Sequence, residues 1–443
     1  MAGTTAAGPS PEDAAGLDAT ARLASRGYLA LLLLAALIGI PISASAYYFL
    51  HLVVLIQQWV FVDLPRTAGF GGTPVWWPVP VLLLSGLLTG AIVKYAPGAG
   101  GHSPVDGFSA KAVPRPVELP GVLGAALASL GLGVVLGPEA PLITLGGGLA
   151  VLSLRLARRQ APRRLGAVVA AAGSFASISA LLGSPLIGAF LLMEVSGLAG
   201  PELGLVLVPG LLSAGIGSLV FVGLDEVTGL GRVSLALPGL PPFDRPTLAE
   251  FGWALLIGAL AAVAGSAVRR LAVALRPLSE RWTVPATAVA GLVIAALAIV
   301  YPTGTGHTAS DVLFSGEQGL DTLLAANSTY SVPALLTLMG CKGVAYGVSL
   351  SSFRGGPVFP AMFLGAAGGI AMSHLPGLPL VAGVATGIGA MSVVMLRLPL
   401  TSVMLATLLL FSSGVAVMPL VIVAVVVAYV VSARLEPRPA NAR

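Results

Sequence analysis

Long apolar runs, broken by short polar and Gly/Pro-rich interruptions, recur from one end of the chain to the other. Runs at 27–61, 76–96, 203–223, 251–268, 285–300 and 418–431 approach or exceed the roughly 20 residues a helix needs to cross the hydrocarbon core of a bilayer. Three others, at 142–154, 186–198 and 361–373, are too short to span comfortably and have Gly or Pro close by. Interrupted segments of this kind, in matching positions of two halves, mark broken helices around a site at the bilayer midplane. The physical reason is that a helix end in hydrocarbon leaves N–H groups that only protein, water or a ligand can satisfy. The pattern predicts an all-α polytopic membrane protein built from many tilted and broken helices.

The interruptions do match. Pro97-Gly98-Ala99-Gly100-Gly101-His102-Ser103 resembles Pro302-Thr303-Gly304-Thr305-Gly306-His307-Thr308. Gly137-Pro138-Glu139-Ala140-Pro141 matches Gly356-Pro357-Val358-Phe359-Pro360, each followed by Leu-Gly at the same distance. Ser184-Pro185-Leu186 pairs with Leu398-Pro399-Leu400, and the order is kept. One such match would be noise in a chain with 57 glycines; three in order indicate an internal duplication. We therefore divide the chain into an N-terminal tail (1–26), a first transmembrane half (27–225), a connecting loop (226–250), a second half (251–433) and a C-terminal tail (434–443). The residues do not tell whether the halves are inverted relative to each other.

Composition changes the picture in one respect, which is the solvent. Only 9% of the 443 residues are charged, against about 25% in soluble domains, and mean hydropathy is +0.96. The net charge of +5 does not point to nucleic acid, because the arginines cluster in short loops. Arg155, Arg158, Arg159, Arg163 and Arg164 form one group; Arg269, Arg270, Arg276 and Arg281 form another. Short basic loops stay on the cytoplasmic side, so both groups are expected there. The single cysteine, Cys341, excludes an intramolecular disulfide and a cysteine-based metal site. No metal or cofactor is implied.

Each Gly-Pro-x-x-Pro reads as a helix start, since Pro is favoured at the first helical position. The next N–H groups are then free: Glu139 and Ala140 in one half, Val358 and Phe359 in the other. Such amides carry partial positive charge and cradle anions. Two starts facing each other would form an anion site from Gly137, Pro138, Ala140, Gly356, Val358 and Phe359 that contains no full cation and so releases its ion readily. The plainer alternative is two ordinary helix starts packed through glycine. Glu139 lies inside the first motif, flanked by apolar residues, and an ionisable group at membrane depth is a functional hypothesis by default. Its carboxylate would occupy the anion site until protonated; the competing role is simple stabilisation of a helix start. His102 and Ser103 can donate to an anion without adding charge, or form a polar turn at the membrane edge. His307 and Thr308 repeat the pattern in weaker surroundings and read as structural. Glu194, inside the apolar run 189–195, would serve a proton route or a subunit contact, or cap a polar network.

Together these motifs resemble the chloride channel (CLC) family of anion channels and anion/proton exchangers, over about residues 27–433. The chain looks like a divergent prokaryotic-type member without C-terminal regulatory domains. Family members carry a Gly-Lys/Arg-Glu-Gly-Pro stretch, which aligns Glu139 with the gating glutamate, and a Gly-x-Phe-x-Pro stretch, which aligns with Gly356–Pro360. Their Gly-Ser-Gly-Ile-Pro stretch is met only loosely, with His102 or Ser103 in place of the serine. The resemblance implies inverted repeats, a homodimer with one pore per subunit, chloride as transported ligand and a bacterial plasma membrane. The departures are specific. Pro138 and Pro357 remove one N–H from each helix start. The pore tyrosine of the family has no counterpart, because Tyr429 lies in the preceding span. Val195 stands where exchangers place an inner glutamate. A channel for chloride or a similar small anion, gated by Glu139, is the resulting expectation; a chloride/proton antiporter is the alternative. A membrane-embedded enzyme using Glu139 and His102 as acid and base is a distant third, and we expect no catalysis.

Overall fold

The structure is a computed structural model that describes residues 25–107, 113, 115–157, 162–197, 201–231, 237, 240–410 and 413–436. The arginines at 158 and 159, most of the N-terminal tail and most of the C-terminal tail lie outside the described residues. Fifteen α-helices carry the described chain. In the first half they are α1 (Arg26–Gln58), α2 (Pro78–Tyr95), α3 (Leu119–Leu130), α4 (Glu139–Ala157), α5 (Arg163–Leu181), α6 (Pro185–Ser196) and α7 (Pro201–Thr228). The second half holds α8 (Leu248–Arg281), α9 (Thr283–Thr305), α10 (Glu317–Ala325), α11 (Val332–Ser352), α12 (Val358–Ser373), α13 (Leu380–Leu396), α14 (Pro399–Leu408) and α15 (Gly414–Leu435). Among the described residues, eight helices are long and apolar enough to cross a membrane. The chain is an integral, multi-pass membrane protein, and helices run into both ends of the connection expected at 226–250.

The duplication shows in the packing. In each half a helix that begins at a Gly-Pro motif crosses the next helix through glycines. Gly146 of α4 meets Gly173 of α5 so closely that a Cβ on either would overlap the other's carbonyl oxygen. Gly365 and Gly369 of α12 meet Gly387 and Gly383 of α13 in the same way. Without a hydrophobic force between helices in lipid, such close backbone approach is what holds transmembrane segments together. Related elements also touch across the halves: α2 packs on α9 and α6 on α14. At the third such place, Gly137 and Gly356 form an antiparallel bridge, with Gly137 N donating to Gly356 O at 2.8 Å and Gly356 N to Gly137 O at 2.5 Å. Self-contacts of equivalent elements are what a two-fold pseudo-axis between inverted halves produces.

Three connections bear on the site. The loop after α2 turns through four consecutive residues with positive φ: Gly98 (78°), Ala99 (49°), Gly100 (70°) and Gly101 (93°). Only glycine takes that region freely, so Ala99 is strained and must be held from outside. Thr247 and Glu250 form a reciprocal capping box at the start of α8, which fixes where the second half begins. The segment before α10 is gripped by Lys342 of α11, buried inside the protein, whose Nζ donates to the carbonyls of Asp311, Val312, Leu313 and Phe314 at 2.9–3.3 Å.

The glycine crossings generate a stability prediction. Gly387→Val drives a side chain into the Gly365 carbonyl and should cost at least about 1–3 kcal/mol, the usual range for overpacking. Gly252→Ala, where an added Cβ meets nothing, should cost less than about 1 kcal/mol, since alanine is the better helix former. Thermal unfolding of both variants in detergent checks the contrast; equal midpoints would refute the role of close backbone approach.

Candidate functional site

The Gly137–Gly356 bridge pins the starts of α4 and α12 against each other, and the Glu139 side chain fills the space between them. Glu139 is fully buried. Its Oε1 accepts a hydrogen bond from Phe359 N at 2.9 Å, and the amides of Glu139 itself and Val358 also face the carboxylate. Both motif glycines are required sterically, because a Cβ on Gly137 or Gly356 would overlap the carboxylate oxygens. Oε2 has no hydrogen-bond partner among the described residues. The carboxylate is therefore held by one start more than by the other and is only partly satisfied.

The prolines sit one position earlier than the sequence pattern suggests. Pro138 precedes α4, and its carbonyl accepts from Leu142 N at 3.0 Å; this is the bond that defines an N-cap. Pro357 likewise caps α12, and the buried Tyr346 hydroxyl donates to its carbonyl at 2.6 Å. Neither proline occupies the first helical turn, and the missing N–H belongs to the cap. Among the expected donors, the amides of Val358 and Phe359 meet the carboxylate; Ala140 instead lines a cavity on the other side of the α4 start.

That cavity, of about 40 Å³, is bounded by Gly101, His102, Ala140, Thr144, Val195, Arg354 and Gly355 among others. It is large enough for water or one small ion. Of the two candidate donors in the 101–104 loop, His102 lines it; Ser103 is not among the lining residues and precedes the short turn Pro104–Asp106. Val195, an apolar side chain, lines the same space. Asp106, beside the lining residue Gly107, is ion-paired at 2.6 Å with Arg276 near the basic end of α8. The cavity thus lies toward the side expected to be cytoplasmic.

Glu194 turns away from this space. Its carboxylate accepts from Leu400 N at 2.8 Å, Thr401 N at 2.7 Å and Thr401 Oγ1 at 2.6 Å. It caps α14 across the two halves, satisfying orphan amides as a side-chain cap does. His307 stacks on Tyr330 with ring centroids 4.0 Å apart, and Thr308 bonds Asp311, so both are structural. Sequence reasoning missed Arg354 and Lys342. Each is a lone cation in an apolar stretch, and the rule that singled out Glu139 would have found them.

The family model of the voltage gated chloride channel matches residues 81–433. YfeO proteins of Salmonella schwarzengrund (strain CVM19633) and Escherichia coli (strain SMS-3-5 / SECEC), which carry an ion-transport name, are 28% identical over 362 residues. They align with 80% of this chain, which covers 83% and 82% of theirs. Among solved structures, a slow cyanobacterial Cl−/H+ antiporter matches with a TM-score of 0.72 at 20% identity, covering 92% of this chain and 95% of its own. A CLC-type fluoride/proton antiporter matches at 0.65 and 20%, covering 91% and 95%. The fold and site define a membrane transport protein with facing helix starts. The chain belongs to the voltage gated chloride channel (CLC) family.

If Glu194 is a cap, Glu194→Ala should lower stability by about 1–3 kcal/mol, the range for caps and charged hydrogen bonds. The dependence of anion flux on pH should stay as in the parent. Thermal unfolding together with flux at several pH values tests this. Unchanged stability with an altered pH response would assign Glu194 to the transport path instead.

Proposed function

We propose that this protein moves chloride or a similar small anion across the membrane through the paired starts of α4 and α12, as a passive conductor gated by Glu139. The observation that carries the reading is the Glu139 carboxylate bound to Phe359 N at the meeting point of the two halves. An anionic oxygen is what these amides hold at rest, so an inorganic anion with no side chain attached can take its place. Pairing between an amide and a carboxylate depends on the charge of the carboxylate. Protonation weakens it, and the unsatisfied Oε2 makes release easier. We further propose a homodimer with one pathway per subunit, in a bacterial plasma membrane.

Two features support conduction over exchange. Val195 gives the cytoplasmic cavity no carboxylate at the position where the resemblance places the exchangers' inner acid. Glu194, its neighbour, is committed to three hydrogen bonds on α14. The Cl−/H+ and F−/H+ antiporters with this fold are 20% identical to the chain, a likeness that concerns architecture.

The sign of the pH effect follows from the gate. At high pH the charged carboxylate stays on the helix starts; as pH falls it protonates, leaves, and flux rises. Chloride efflux from proteoliposomes should increase as pH is lowered, by at most about tenfold per pH unit for one titrating proton. Glu139→Gln should conduct at all pH values with no such rise. A folded, inactive Glu139→Gln would overturn the gate. Uphill proton movement recorded alongside efflux would replace conduction by exchange.

A further inference from the structure

A second cavity, a groove of about 630 Å³, lies between α8 and α11 and reaches down to the crossing of α12 with α13. Leu260 and Val263 of α8 line one side and Leu336 and Val344 of α11 the other; all four are exposed. Glycines make it deep, with Gly340 and Gly343 on α11 and Gly365, Gly368 and Gly369 on α12. Both flanking helices are long and apolar enough to span a membrane, so the groove opens into bilayer. None of its lining side chains carries an N–H or O–H group. A water held in such a space needs about two to four polar partners, and an empty space loses packing along every wall. The occupant is therefore apolar. At about 30 Å³ for each water-sized group, the volume takes about twenty of them, which fits one long acyl chain. The groove follows α8 from Ile257 to Leu271, about 20 Å at roughly 1.5 Å per residue, more than half of the roughly 30 Å hydrocarbon core.

Charge is found at one end of the groove only. Leu271, the last α8 residue to line it, directly follows Arg270. Arg270 is exposed; its Nη2 donates to Leu435 O, and it makes no ion pair among the described residues. Its neighbour Arg269 is already committed, to Val394 O at 3.2 Å and to Glu436 at 3.3 Å. A guanidinium presents five donors in a planar fork that matches a phosphate, so Arg270 keeps donors for a ligand. At the other end, residues 251–262 and 331–341 contain no charge. The basic end of α8 is the cytoplasmic one by the positive-inside rule. We propose that the groove binds one phospholipid of the cytoplasmic leaflet, with an acyl chain laid between α8 and α11 and its phosphate on Arg270. The site is distinct from the helix starts around Glu139 and goes beyond the anion-transport reading. Its glycines on α12 belong to the helix whose first turn meets the Glu139 carboxylate, so the chain backs the crossing of α12 with α13 from the lipid side.

Lipid that merely coats the protein is the competing explanation, and saturation separates the two. Full-length protein is reconstituted into phosphatidylcholine vesicles with rising fractions of a phosphatidylglycerol that bears a diazirine midway along one acyl chain. After irradiation, the labelled residues are identified by mass spectrometry of the digest. Label on Leu260, Val263 and Val344 should saturate as the probe fraction rises, while label on Leu33 and Leu37, exposed on α1, should grow in proportion to it. Gly340→Leu fills the groove at a place where an added Cβ meets nothing and should cut groove label at least about tenfold, which is 1.4 kcal/mol. Arg270→Gln should cut it about fivefold, the weight of one arginine beside an anionic membrane surface. Label on α1 should match the parent in both. Gly343→Leu, whose Cβ makes only ordinary contact with Val268, replaces Gly340→Leu if that variant fails to fold. Groove label that never saturates, or that survives the leucine substitution, would overturn the site. A parent labelled on α1 but not in the groove would overturn it too, and would mean that protein, such as a second copy of the chain, covers the groove. Unchanged label in Arg270→Gln would overturn the phosphate assignment.

Discussion

Much of this molecule is arranged so that two helix starts can meet inside a membrane. Orphan amides at a helix start are tolerable at a protein surface, where water reaches them, and expensive in hydrocarbon. Here α4 and α12 begin at membrane depth, and their amides are met by a carboxylate from one of them. The antiparallel bridge between Gly137 and Gly356 holds the two starts in register, and both glycines leave room for the Glu139 side chain. The glycine crossings of α4 with α5 and of α12 with α13 bring each of these helices into close backbone contact with the next.

This arrangement explains why a buried acid belongs in an otherwise apolar protein. Removing a charge from water is unfavourable unless it is hydrogen-bonded, and the Phe359 amide provides that bond together with the aligned dipoles of two helices. The carboxylate is held through Oε1, while Oε2 has no hydrogen-bond partner among the described residues. A lysine in its neighbourhood would have made the binding permanent. The cations of the second half are kept apart from this point. Lys342 is consumed by four carbonyls, and Arg354 lines the cavity bounded by His102 and Val195.

The same economy governs Glu194. An acid within an apolar helix invites a functional reading, yet its three acceptor bonds serve the start of α14, and that helix belongs to the opposite half. A carboxylate capping a foreign helix start is the same device as Glu139 on α12. What separates them is completeness: both oxygens of Glu194 are bonded, whereas Oε2 of Glu139 is not.

The architecture was largely legible in the amino-acid sequence. Run lengths set the membrane helices, and the repeated Gly-Pro, Pro-Gly and Ser/Leu-Pro-Leu punctuation revealed the two halves, because helix starts need particular residues wherever they occur. Glu139 stood out for the same local reason, as a charge with no water near it. Which half each side chain would serve was not legible. Ser103 and His102 are adjacent in sequence, and only the left-handed path of residues 98–101 lets His102 line the cavity while Ser103 leads into the next turn. Glu194 and Val195 are adjacent too, and the helical rotation between neighbours sends one to α14 and the other to the cavity. Arg354 is anchored by a loop more than 250 residues earlier, whose Ala99 carbonyl accepts from its Nε. Sequence specifies local conformation and burial, but the partner of a polar group in a membrane protein is chosen by what the folded helices bring within hydrogen-bond reach.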